Sequence, residues 1–287
     1  MKYPLGKERI KFLVKIIKWA SWNTLFKRPY CTNRNSIEIE VTTACNLLCI
    51  DCNRSCRQAP SLEGMSVEQV RTFISETVAL KKKWKWVNLL GGEPTLHPDL
   101  IEICQILLDY KHSYSPTTKI CLFTNGFKKM VKDTLDKIPD EIIIRNTQKR
   151  NIVHDYHFCY NIAPNDLKHF QKNKPDYARG CWITENCGLG MSRYGYYPCG
   201  PGASADRIFG WDIGIKKISG VTAKATMKQR EILCQYCGLY LYSFPFMKDK
   251  LLAEFKEGKR SGKEVMSDSW KSAYRSYNQT KPDLGTY

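Results

Sequence analysis

No apolar run in the 287-residue sequence approaches the ~20 residues a bilayer-spanning helix needs, so nothing in it reads as a membrane span. No secretory signal is legible either. The N-terminus is charged throughout and has no uninterrupted apolar stretch of the right length, so a cytoplasmic protein is expected. Internal repeats and low-complexity segments are missing, as are a helix-turn-helix signal, an RNA-binding signature and zinc-finger spacing. Acid is scarce: 28 Asp and Glu stand against 45 Lys and Arg, a formal charge of +17. Such a surface attracts anions, whether nucleic acid, phosphorylated metabolites or an acidic membrane face. Nucleic acid has only this charge behind it. What the chain does have is 43% hydrophobic residues and 12% aromatics, ample for a core, and thirteen cysteines. In a reducing compartment these do not suggest a disulfide scaffold. They suggest metal ligands. Cys104 ("IEICQILL") and Cys121 ("KICLFTNG") are set apart, because each lies in an apolar stretch where Cys packs as a small hydrophobe.

Residues 1–35 form a basic N-terminal extension. Ile10, Leu13, Val14 and Ile17 follow helical spacing, with Lys11, Lys15 and Lys18 on the other face. Such a helix packs on the protein's own body or, through residues 7–28, touches an acidic membrane surface. Then strand and helix alternate. "SIEIEVTT" places Ile37, Ile39 and Val41 at strand spacing. Ser66 and Gln69 make a capping box before a helix striped by Val70, Phe73, Ile74 and Val78. "WVNLL" is a second strand, ending in "GGEP". Asp99 caps the helix "LIEICQILLDY", "KICLFTNG" is a third strand, "KKMVKDTLDKI" a helix, "DEIIIRN" a fourth strand and "VHDYHFCYN" a candidate fifth. Short connections between alternating elements argue for a parallel sheet covered by helices, with five or six units up to about residue 178. The loops that follow the strands should gather at one end of the sheet, where such folds carry their chemistry.

The first of those loops reads "TTACNLLCIDCNRSC". Cys45, Cys49 and Cys52 are spaced C-x3-C-x2-C. A structural zinc site is normally closed by four ligands. Three thiolates on one short loop suit a 4Fe–4S cluster with one iron left open. Cys56 falls outside the spacing, and a fourth thiolate would close that iron.

These residues resemble the signature of the radical S-adenosylmethionine (SAM) superfamily. Its "GGEP" element stands verbatim as Gly91, Gly92, Glu93 and Pro94, after the second strand. The resemblance covers roughly residues 36–178 and implies a partial (β/α)6 TIM-like barrel. It implies that the open iron is chelated by SAM, whose reductive cleavage gives methionine and a hydrogen-abstracting 5′-deoxyadenosyl radical. It also implies that "GGEP" holds the methionine amino group, Glu93 being an acceptor, and that Thr124 and Asn125 of "TNG" contact the cofactor. Reduction calls for an external donor such as a flavodoxin or ferredoxin. One position departs from the family: an aromatic residue usual before the third cysteine is Asp51 here.

Residues 179–240 hold Cys181, Cys187, Cys199, Cys234 and Cys237. "RYG" followed by "YYPC" reads as a β-hairpin ending at a ligand, and the C-x2-C pair follows a helix. Spacing alone also permits a four-cysteine zinc ribbon. Beside the first motif, the segment resembles the twitch domain, a shortened SPASM extension, whose β-hairpin and helix hold one auxiliary 4Fe–4S cluster. Five cysteines compete for four places. Cys199, Cys234 and Cys237 lead, and Cys187 is slightly preferred to Cys181. Residues 241–287 read as a helical extension in which Trp270, Tyr274 and Tyr277 recur at helical spacing, as in a helix docked on the body.

For the substrate step, His157, Arg145 and Cys159 are candidates. Arg145 ends the fourth strand and suits an anion. Cys159 offers a thiol hydrogen to a substrate radical, against the plainer reading of a buried cysteine. The expected activity is radical SAM oxidation or epimerisation of a small polar, anionic or sugar-like molecule. The alternatives are modification of a ribosomally made peptide, and a zinc-stabilised nucleic-acid-binding module without catalysis.

Overall fold

The computed structural model describes Val14 and residues 29–149, 159–244 and 248–287. A six-stranded sheet in the order β4-β3-β2-β1-β5-β6 organises them. β1 (Ser36–Thr42) runs parallel to β2 (Trp86–Gly91), β2 to β3 (Lys119–Thr124), and β3 to β4 (Ile143–Asn146). β5 (Leu189–Ser192) lies on the other side of β1, also parallel, and turns through Arg193 and Tyr194 into the antiparallel β6 (Gly195–Tyr197). The fold is thus α/β with a mostly parallel sheet, consistent with a partial TIM-like core. Four of its strands precede residue 178, and the last two come from the "RYG" hairpin. The fifth strand expected before residue 178 falls mostly outside the described residues.

Alternation along β1 decides which face is which. Ile37, Ile39 and Val41 are fully buried and pack with Val87 and Leu89 of β2 and Ile120 and Leu122 of β3 into one apolar core. Burying each aliphatic side chain there contributes roughly 1.5–3 kcal/mol. Helices α1 (Val67–Ala79) and α2 (Leu100–Ser113) cover that face. α1 starts at the expected capping box: Gln69 N donates to Ser66 Oγ (3.1 Å) and Ser66 N to Gln69 Oε1 (2.9 Å). Its buried stripe is Val70, Phe73 and Thr77, while Val78 lies 37% exposed, one position off the expected face. Asp99 precedes α2 but makes no side-chain cap bond. α3 (Lys129–Leu135) joins β3 to β4.

A second apolar core lies under the later half of the chain. It is built on the helices α4 (Lys168–Asn173), α5 (Trp182–Asn186), α6 (Gly200–Phe209), α7 (Ala223–Tyr236), α8 (Lys250–Arg260) and α9 (Asp268–Gln279). Trp270, Tyr274 and Tyr277 of α9 are all buried in it. Trp270 Nε1 donates to the Tyr236 carbonyl at 2.7 Å, and the Tyr274 hydroxyl donates to Asn161 Oδ1 at 2.8 Å. The aromatic spacing seen in the sequence is therefore a docked helix. Among the described residues no helix is long and apolar enough to cross a membrane. Residues 7–28, except Val14, lie outside the described set, as does His157.

Candidate functional site

The parallel register brings the loops after β1, β2 and β3 to one end of the sheet. Two adjacent glycines let them touch. Gly92 N donates to Thr42 O and Glu93 N to Ala44 O, both at 2.8 Å. A Cβ on Gly91, whose φ is +147°, would come 2.2 Å from Thr42 O, and one on Gly92 would come 2.1 Å from Ala44 O. No side chain fits there, so the "GG" of "GGEP" holds β2 against the start of the cysteine loop.

Glu93 is wholly buried and ties two of these loops together. Its Oε1 accepts from Thr95 Oγ1 (2.8 Å), Thr95 N (3.3 Å) and Thr124 Oγ1 (2.8 Å). Its Oε2 accepts from Asn125 N at 2.7 Å. Most of the carboxylate's lone-pair capacity is spent inside the fold, leaving only Oε2 with room for another donor. Glu93 is therefore first a brace between "GGEP" and "TNG", a role beyond the expected acceptor for an amino group. Asn125 extends the brace: its Nδ2 donates to Asn46 Oδ1 at 2.8 Å, inside the cysteine loop.

On that loop Cys45, Cys49 and Cys52 lie close enough for their charges to interact. Burial pushes the Cys45 thiol up to about 11 and that of Cys49 up to about 12. The nearby Lys149 ammonium, just beyond β4, opposes this at both. Cys52 is held below its ordinary range, first by a hydrogen bond from Cys56, whose own thiol is pushed up. Buried neutral thiols must lose their protons to become ligands, so metal loading here would release acid.

Asp51 has a clear use. It sits in a left-handed turn with φ 54°, and its two oxygens accept from Tyr160 N (2.9 Å) and Asn161 N (2.8 Å). Its own N–H donates to Glu264 Oε1 at 3.0 Å. The position that usually carries an aromatic ring thus clamps the cysteine loop to the second core. Arg54 latches it again, with Nη2 on Glu38 Oε2 of β1 at 2.9 Å.

Cys181, Cys199, Cys234 and Cys237 of the second group line one apolar cavity, part of it open to solvent. Cys181 and Cys199 precede the first turns of α5 and α6, Cys234 lies in the last turn of α7, and Cys237 follows it. Cys187 is absent from the lining, and its thiol bonds Glu38 instead. The spacing slightly preferred Cys187, whereas it is Cys181 that borders the cavity. The two flank α5 at opposite ends, roughly 9 Å apart at 1.5 Å per residue, and Cys187 still lies near enough to Cys199 and Cys181 for their charges to interact. Among the described residues no three His, Cys, Asp or Glu side chains converge on one point as a single metal ion requires.

The substrate candidates are not brought together. Arg145 lies over the Trp86 and Phe123 rings, at 5.5 and 5.9 Å from their centroids, and among the described residues no carboxylate pairs with it. Cys159 is buried, its thiol on Gly238 O at 3.4 Å, and burial pushes its pKa up. A carbonyl-bonded thiol in an apolar core supports the packing role over hydrogen donation. Sequence reading missed Lys149, Arg54 and Arg230. Arg230 had a signal, since it stands four residues before Cys234 and so on the same helical face.

Residues 39–145 match the family model described as the Radical SAM superfamily. This stretch is a radical SAM domain. Members of that superfamily bind a 4Fe–4S cluster and SAM. Three relatives are named "Probable GTP 3′,8-cyclase". That of Metallosphaera sedula is 33% identical over 103 residues, covering 36% of this chain and 32% of its own length. That of Thermococcus kodakarensis is 26% identical over 113 residues, covering 39% and 35%. That of Pyrococcus horikoshii is 31% identical over 113 residues, covering 39% and 34%. The chain spans about a third of the length of the curated relatives it matches. Among solved structures, BtrN in complex with AdoMet and 2-DOIA is 15% identical with a TM-score of 0.42, covering 71% of this chain and 89% of its own. Streptococcus suis SuiB bound to precursor peptide SuiA is 17% identical with a TM-score of 0.31, covering 50% and 30%.

Proposed function

We propose that this chain is a radical SAM enzyme acting on a small polar, anionic or sugar-like molecule by oxidation or epimerisation. The observation that carries the reading is the convergence of three loops at the strand ends. The loop that carries Cys45, Cys49 and Cys52 is tied to "TNG" through Asn46 and Asn125, and "TNG" is tied to "GGEP" through Glu93. In this reading the three thiols hold the SAM-binding 4Fe–4S cluster, and Gly91, Gly92, Glu93, Pro94, Thr124 and Asn125 border the cofactor. When bound, cluster and SAM together supply an electron and a 5′-deoxyadenosyl radical. Lys149 adds a fixed positive charge beside the thiols. Cys181, Cys199, Cys234 and Cys237 hold one auxiliary cluster in a twitch-like segment. Four thiols around one cavity leave no iron free for substrate, which favours electron transfer there.

The basic surface, with Arg145 on the open face of β4, supports an anionic substrate. It also suits an acidic electron donor of the flavodoxin or ferredoxin class. The test is anaerobic purification, with iron, acid-labile sulfide and zinc measured, then dithionite and SAM added. The reading expects iron, sulfide and slow release of 5′-deoxyadenosine that Cys45→Ala, Cys49→Ala or Cys52→Ala abolishes. Zinc without iron, or no deoxyadenosine from a fully loaded chain, would refute it. Screening sugar phosphates, aminocyclitols, peptides and GTP for faster release then names the substrate class. GTP is included because the relatives' name concerns it.

A further inference from the structure

The role of Arg230 rests on the assignment of Cys181, Cys199, Cys234 and Cys237 to an auxiliary cluster. Of the side chains lining the four-thiol cavity, only Arg230 is a cation. It is 4% exposed, on α7 one turn before Cys234. Its Nη1 is anchored, donating to Tyr30 O at 2.9 Å and Thr32 Oγ1 at 3.2 Å. Gly180, next to Cys181, closes over its stem: a Cβ there would come 2.9 Å from Arg230 Cδ. The guanidinium is thereby fixed, and its Nε–H is buried with no hydrogen-bond partner among the described residues. Arg193 and Arg207 also have a buried Nε without a partner, but Arg230 is the one of the three that borders the four-thiol cavity.

The cavity explains what the donor awaits. Besides the cysteines the lining carries two side-chain oxygens, and both are engaged: Thr184 Oγ1 donates to Cys181 O at 2.7 Å and accepts from Cys181 N at 3.2 Å. The Tyr240 hydroxyl is turned to the Asp176 carbonyl at 3.4 Å. The charge of Arg230 acts on Cys234, Cys199 and Cys181 of the cavity and on Cys31 outside it. A cluster on four thiolates is net anionic, and one-electron reduction makes it more so. In an apolar, mostly closed site that extra charge is strongly disfavoured unless a cation or an N–H donor offsets it. Net charge and hydrogen bonds to sulfur are what set cluster potentials.

We propose that Arg230 Nε–H donates to the sulfur shell of the auxiliary cluster and raises its reduction potential, setting how readily that cluster takes an electron. Arg230 is a positioning and tuning residue. It touches the cluster's ligand shell and not the substrate.

The test uses the full chain, purified anaerobically with its clusters and titrated with dithionite under EPR. The SAM-site cluster, recognised by its response to SAM, is the internal reference. Arg230→Gln should lower the reduced-to-oxidised ratio of the auxiliary cluster at least tenfold at fixed potential, about 59 mV for one electron. Arg230→Lys, which keeps the charge but loses the Nε–H geometry, should give part of that shift. Thr32→Val removes only an anchor and should leave both potentials in place. An unmoved potential in Arg230→Gln with full iron overturns the proposal, as does a Thr32→Val shift of equal size. If Arg230→Gln loses the auxiliary iron, Arg230→Lys decides by the same criterion. Iron and sulfide for one cluster only in the unaltered chain, or zinc on the four thiols, would sink the cluster reading and the proposal together. A second cluster indifferent to Arg230 would sink the proposal alone.

Discussion

Replacing Glu93 by Gln is nearly isosteric and separates two roles. In the fold Glu93 accepts three donors on Oε1 and one on Oε2. The amide best keeps its oxygen on the three-donor side. Its NH₂ then faces Asn125 N–H, which now approaches an acceptor at 2.7 Å. One charge-assisted bond is lost, about 1.5–3 kcal/mol, and the buried N–H is left facing another donor. The three remaining bonds weaken as the charge goes. A loss of about 3 kcal/mol is expected, lowering Tm by about 6–12 °C in a chain of this size. The assay is thermal and urea unfolding of the cluster-free chain under reducing conditions, followed by deoxyadenosine release from the loaded one. Cluster-free stability within about 1 °C of the unaltered chain, together with lost activity, would refute the brace. Glu93 would then act on the cofactor alone.

Cys181→Ala should halve the iron content while Cys187→Ala leaves it intact, since only Cys181 lines the cavity; iron and sulfide analysis reads this directly. Trp270→Ala should cost about 3–5 kcal/mol, because its fully buried ring packs against Tyr160, Phe209 and Tyr274; a urea series reads it. Asp206 carries a pH signature: burial raises its pKa despite bonds from Tyr197 Oη and Ile213 N. A folded value above the unfolded one means the native state holds the proton more tightly, so its contribution is full below the unfolded value and is lost as pH rises through the folded one. Tm measured from pH 4 upward should therefore fall more steeply in the unaltered chain than in Asp206→Asn, and parallel curves would refute the shift.

What the sequence made legible was whatever depends on local order. The alternation of Ile37, Ile39 and Val41 and the Ser66–Gln69 box are set by residues next to one another, and both stand as read. The spacing of Cys45, Cys49 and Cys52 likewise gives one loop, because a few residues of chain cannot separate them. Val78 failed by one position because α1 turns Thr77 inward, where Trp84 Nε1 donates to its hydroxyl at 3.3 Å. Three readings depended on distant partners and could not be made locally. Asp51 looks like a defect in a motif until Tyr160 and Asn161, more than a hundred residues later, present two N–H groups to it. Glu93 looks like a free ligand until Thr124 and Asn125 fold over it. Cys181 and Cys187 look interchangeable until a five-residue helix points one at the cavity and the other at Glu38. In each case the side chain's chemistry was plain, but its job was fixed by which strand or helix ended beside it. That is why the braces at this site are carried by residues whose motifs suggest something else.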